Sequence, residues 1–206
     1  MTVRGGDQAR EPGNGRGGNS RLGVRCTRRR LLLIVLPVLV LVPVGAVFYD
    51  FEVQRNFAEV VPGKIYRSGQ PGEAQLERWV RTYGLKSILD LRHSVPEYQR
   101  AITDAYGVRL HQVSFSARRG LSEEQWLEMR EILTSEENLP ILVHCRGGSD
   151  RTGLVTALYR VEVQGWPLEE ALRGMRRRYH FPARYPRLHE QLRERYGDGN
   201  TPGSSP

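Results

Sequence analysis

The sequence reads as an α/β protein: a mainly parallel central sheet flanked by helices, with an N-terminal single transmembrane helix. Three observations lead there. From about Val60 to Tyr196, short apolar runs alternate with stretches of helical period, the pattern of strands joined by helices. Residues 31–48 carry no charge. Between an apolar run and a helical one lie His144 to Gly153, with glycines and arginines suited to holding an anion.

The elements follow in order. Lys64-Ile65-Tyr66-Arg67 reads as a short strand, and Leu76, Trp79, Val80 and Tyr83 recur at helical spacing up to Gly84. Ser87 to Leu91 is a strand, Pro96 opens a helix to about Tyr106, and Val108 to Phe115 alternates as a strand. Ser122 and Gln125 form a capping box ahead of Trp126, Met129, Ile132 and Leu133. Pro140 to Val143 is a buried-type strand. Thr152 to Gln164 is helical and stopped by Gly165, and Pro167 and Pro186 open two more helices. The folded domain thus occupies 60–196, and 197–206 is a polar tail expected to be disordered.

The 206 residues carry 31 Lys+Arg against 23 Asp+Glu, a net charge of +8. Residues 1–30 hold eight Arg against Asp7 and Glu11, so the charge is concentrated in a Gly/Arg-rich tail expected to be disordered. A nearly neutral domain argues against specific nucleic-acid binding. Two cysteines, Cys26 and Cys145, exclude a disulfide scaffold and a multi-cysteine metal cage.

The run 31–48 is expected to cross a membrane. Fourteen of its residues are Leu, Ile, Val or Phe, and 18 residues of helix span roughly 27 Å. Arginines before it, with Asp50 and Glu52 after it, place the N-terminus in the cytoplasm and the domain outside it. Two alternatives stay open: Val44-Gly45-Ala46 as a signal-peptidase site, and Thr27 to Leu32 as a twin-arginine signal.

The candidate site is the run HCRGGSDRTG. A strand end sets it at the ligand edge of the sheet. Gly147 and Gly148 let successive N–H groups converge on a tetrahedral anion, the following helix adds its dipole, and Arg151 offers a planar two-point donor. A free thiol is only about 3% thiolate at pH 7, and this field favours the thiolate of Cys145. The bland reading of Cys145 is an inert core thiol.

The run resembles the signature of the cysteine-dependent protein tyrosine phosphatases. One signature late in a compact sheet resembles the dual-specificity group, and VPGKIYRSGQP and KSILDLR resemble the early part of its bacterial and plant-type members. The resemblance covers about 60–180. It implies that 60–196 is a phosphatase domain in which Cys145 attacks phosphorus. Arg146, Gly147, Gly148, Ser149, Asp150 and Arg151 would bind the phosphoryl oxygens, and Thr152 would assist the leaving thiolate. His144 would tune the loop from behind, or else be a satisfied core histidine. It implies no cofactor and no metal.

The group usually carries an aspartic acid about thirty residues before the cysteine. Here Ser114 to Gly120 has no carboxylate, and Asp150 is the leading substitute general acid, with a structural ion pair as its other reading. Asp90, Glu97 and Glu123 are weaker candidates. Arg67, Ser68, Arg92 and His93 are expected at the cleft rim or on solvated surface. Arg118, Arg119 and Arg146 favour an anionic substrate: a phosphorylated protein, a phosphoinositide or an inositol phosphate. The alternative is a catalytically silent module that binds a phosphorylated partner.

Overall fold

A computed structural model describes residues 22–49, 55–176 and 182–197. The chain divides into two compact units, Met1–Gly45 and Ala46–Pro206. The first contains most of helix α1 (Leu22–Phe48), which starts within the segment assigned to the N-terminal tail; residues 1–21 of that tail and 198–206 of the C-terminal one lie outside the described residues.

α1 overturns the membrane expectation: among the described residues no helix is long and apolar enough to cross a membrane. The physical reason is visible in its sequence. The first part of the helix is arginine-rich, and Pro37 and Pro43 each remove a helical N–H donor. The orientation argument, with a cytoplasmic N-terminus and an extracytoplasmic domain, falls with it.

The second unit is built on a five-stranded sheet of β1 (Ala58–Val61), β2 (Ile65–Ser68), β3 (Ser87–Asp90), β4 (Arg109–Gln112) and β5 (Ile141–His144), in the order β1-β2-β5-β3-β4. The sheet is mixed, not mainly parallel. β2, β5, β3 and β4 run parallel, but β1 pairs antiparallel with β2. Only Pro62, Gly63 and Lys64 separate the two, and Gly63 turns with φ 68°. A parallel connection would need a dozen or more residues, so so short a link forces a hairpin.

Strand residues alternate between two cores, as the period of two requires. Ile65, Leu89, Ile141 and Val143 point to one face, where they meet α4 (Glu123–Thr134), α5 (Asp150–Glu162), α6 (Leu168–Arg176) and α7 (Pro186–Tyr196). Tyr66, Ile88 and Leu142 point to the other, against α2 (Glu73–Tyr83) and α3 (Glu97–Tyr106). Because both faces are covered, the central strands β2, β3 and β5 are buried at every residue rather than at alternate ones. The expected Ser122–Gln125 capping box is formed at α4.

This register sets the site. Ser68, His144 and Asp90, the last residues of β2, β5 and β3, lie side by side, and the chain leaves β5 directly into the loop beginning at Cys145.

Candidate active site

The loop Cys145–Ser149 curls between β5 and α5. The helix begins at Asp150 rather than at Thr152, so Asp150 and Arg151 belong to its first turn and their N–H groups are among those a helix leaves unpaired. Gly148 has φ +72°, a left-handed conformation that costs glycine little, and its Cα lies against the backbone of Ser68 and Gly69. Its N–H donates to Cys145 Sγ at 3.2 Å. The sulfur therefore sits at the focus of the curl, with a donor aimed at it.

The carbonyls of the loop are turned away. Arg146 O accepts from Gln70 N at 3.1 Å, Gly147 O from Ser149 Oγ at 3.5 Å, and Gly148 O from Arg67 Nη2 at 2.5 Å. Ser149 Oγ in turn accepts from Asn56 Nδ2 at 3.2 Å. Asn56 follows Arg55, and both hold positive φ, 55° and 53°. Gly69 N donates to Arg55 O at 2.5 Å, so this tight turn braces the loop from outside.

Arg151 is anchored without being consumed. Its Nη1 donates to Leu91 O at 2.7 Å and reaches Phe115 O at 3.5 Å. Leu91 is itself fixed, since its N–H donates to His144 O at 2.9 Å. Next to it, the buried Asp90 carboxylate accepts from Arg92 N, Nε and Nη2 at 3.0, 2.9 and 2.5 Å and from Gln99 Nε2 at 3.2 Å. His144 is wholly buried, with Nδ1 3.5 Å from Cys145 O and Nε2 3.7 Å from Asp90 Oδ2. Burial pushes its pKa down to about 4 against the opposing pull of Asp90, so the ring is neutral at pH 7. Thr152 is buried directly after Arg151, and its hydroxyl makes no hydrogen bond.

Cys145 and Arg151 open into a cleft of about 730 Å³. Arg55, Arg118, Arg146 and Arg184 line it with Arg151, and among the described residues Asp150 is the single carboxylate in its wall. His93 lies there as expected. Arg67, Ser68 and Arg92 do not: all three are buried, Arg67 beneath the loop and Arg92 against Asp90. The weaker acid candidates are elsewhere too. Asp90 is held by Arg92, Glu123 pairs with Arg195 and Glu97 does not line the cleft. Arg55, Arg184 and Tyr185 were not legible as site residues, because each reaches the cleft from a segment distant in sequence from the loop. The segment that lacks the expected aspartate is pinned rather than free. Gln125 Nε2 donates to Ser114 O at 2.8 Å, and the Gln191 amide bonds both backbone groups of Leu121 at 3.0 and 2.7 Å.

A buried thiol at a strand end, a loop N–H aimed at it and an arginine in the first turn of the next helix are what the resemblance to the cysteine-dependent tyrosine and dual-specificity phosphatases leads one to expect. Residues 53–190 match the model of the tyrosine phosphatase family, and the chain belongs to that family. It is 32% identical over 113 residues to the dual specificity protein phosphatase TpbA of Pseudomonas aeruginosa strain UCBPP-PA14, covering 55% of this chain and 50% of the relative. It is 32% identical over 148 residues to the inositol diphosphatase SIW14 of Saccharomyces cerevisiae, covering 69% and 51%. The crystal structure of the SIW14 core catalytic domain with citrate superposes with a TM-score of 0.62 at 31% identity, covering 70% of this chain and 87% of that one. The chain thus spans about half the length of these curated relatives.

Proposed function

We propose that the chain hydrolyses phosphomonoesters through a phosphocysteine on Cys145, and that its preferred substrates carry several phosphates on a small scaffold. The carrying observation is the cleft wall, where among the described residues five arginines face one carboxylate. One phosphoryl group satisfies Arg151 and the loop amides, and the remaining guanidinium groups favour further negative charge. The yeast relative is named an inositol diphosphatase and the Pseudomonas relative a dual specificity protein phosphatase, which frames the two substrate classes.

In this reading Cys145 Sγ attacks phosphorus, the S–P bond forms, and the P–O bond to the leaving group breaks as Asp150 passes its proton to the departing oxygen. The inward N–H groups of Arg146 to Arg151 and the Arg151 guanidinium take up the charge spreading over the equatorial oxygens. Water then attacks phosphorus while Asp150 accepts its proton, and the thiolate departs with a hydrogen bond from Thr152, whose hydroxyl is otherwise unused. Neutral His144 places no competing cation behind the sulfur and holds the turn into the loop through Cys145 O.

The test compares kcat/KM of the full chain on an inositol pyrophosphate and on a phosphotyrosine peptide, with Cys145→Ser as control. The proposal expects Cys145-dependent turnover of both and preference for the former. Equal kcat/KM on both would remove the substrate reading, and turnover by the serine variant would remove the mechanism.

A further inference from the structure

Arg67 sits on β2 paired with Val143, 2% exposed, and its guanidinium reaches up under the loop. Nη2 donates to Gly148 O at 2.5 Å, and Nη1 donates to Thr156 Oγ1 at 3.2 Å, nearly two turns into α5. Thr156 Oγ1 donates onward to Gly153 O at 3.1 Å. A buried cation therefore joins the loop to the helix that follows it.

The peptide geometry gives this contact a consequence. In a trans peptide the C=O and the next N–H point in opposite directions. Holding Gly148 O down against Arg67 turns the Ser149 N–H up, into the curl around Cys145. Gln70 N does the same at Arg146 O for the Gly147 N–H, but with a neutral donor. Among the described residues that hold the loop's carbonyls outward, Arg67 alone is charged. It polarises the same peptide whose N–H faces the anion, and it keeps Gly148 placed so that its own N–H meets the sulfur.

We infer that Arg67 is a positioning residue for the reaction: it orients the Gly148–Ser149 peptide and stabilises the Cys145 thiolate without touching substrate. The inference rests on Cys145 as nucleophile, but its main readout does not need turnover.

The experiment is alkylation of Cys145 by iodoacetamide across pH in the full chain, resolved by mass spectrometry. Cys26 in the same samples is the reference, and kcat on para-nitrophenyl phosphate is measured alongside. Arg67→Met should move the Cys145 midpoint to higher pH, leave Cys26 unchanged and lower kcat about 10- to 100-fold, the range for losing one charge-assisted hydrogen bond. Arg67→Lys keeps the charge but not the two-point fork, so its midpoint should stay nearer the parent and its kcat fall between. A folded Arg67→Met protein with the parent's midpoint and kcat overturns the inference, since a packing role alone would lower the melting temperature and move neither. If Arg67→Met does not fold, Arg67→Lys decides: reduced kcat supports the inference and unchanged kcat overturns it. Hydrolysis that survives in Cys145→Ser would instead refute the nucleophile reading and leave the alkylation result standing.

Discussion

The N–H of Gly148 lies 3.2 Å from the sulfur of Cys145. That contact depends on a left-handed backbone at Gly148, wedged against Ser68 and Gly69. A Cβ added there would stand 2.6 Å from the Ser68 carbonyl carbon, so there is room for hydrogen only. Gly148→Ala should cost on the order of 1–3 kcal/mol of stability from the φ strain alone and remove most of the turnover. Thermal melting and para-nitrophenyl phosphate hydrolysis check the two parts separately.

Asp150 is the one carboxylate in the cleft wall among the described residues, on the first turn of α5. Asp150→Asn should slow hydrolysis of a phosphotyrosine peptide about 10²- to 10⁴-fold, the usual worth of a general acid. An activated aryl ester, whose leaving oxygen needs no proton, should be affected far less. Parallel losses on a series of leaving groups would assign Asp150 a structural role.

His144 makes stability depend on pH. Its folded pKa of about 4 lies below the unfolded value of about 6.5, so the unfolded chain binds the extra proton between them. Stability is therefore complete above about pH 6.5 and declines as pH falls toward 4, by on the order of 3 kcal/mol from this group. Denaturant melts of the parent and of His144→Gln should diverge at neutral pH and converge toward pH 4. Curves that stay parallel through that window would contradict the assignment.

Arg118 and Arg184 face the cleft from segments that belong to neither the loop nor its helix. Arg118→Gln and Arg184→Gln should each raise KM for an inositol pyrophosphate about tenfold, about 1.4 kcal/mol, and leave para-nitrophenyl phosphate kinetics near the parent's. Equal effects on both substrates would place these residues in loop support rather than in recognition.

What the sequence made legible is what local chemistry decides. The strand, glycine loop and helix around Cys145 are contiguous, so that context, together with the family resemblance, singled out Cys145, Arg151 and Asp150 as candidates. The capping box was legible from local spacing. β1 was missed because only Val60 of its four residues is buried, leaving no alternation to read, and its hairpin is what makes the sheet mixed. Arg67 and Arg92 looked like rim residues because strand-end position does not reveal which way a long side chain folds back. Both are drawn inward by partners distant in sequence or across a tight turn, Gly148 O and Asp90. Arg184 and Arg55 enter the cleft only through tertiary packing. The apolar run at 31–48 carried a membrane signal in its composition, but it continues an arginine-rich helical stretch and holds two prolines, and among the described residues no helix is long and apolar enough to cross a membrane.

The central claim is that Cys145 carries the phosphoryl group between the two chemical steps. Rapid-quench mass spectrometry of the full chain turning over para-nitrophenyl phosphate tests it most directly. One phosphoryl group is expected on the peptide containing Cys145, accumulating in Asp150→Asn and absent in Cys145→Ser. Turnover at the parent's rate by Cys145→Ser, or a phosphoryl group found on another residue, would contradict it.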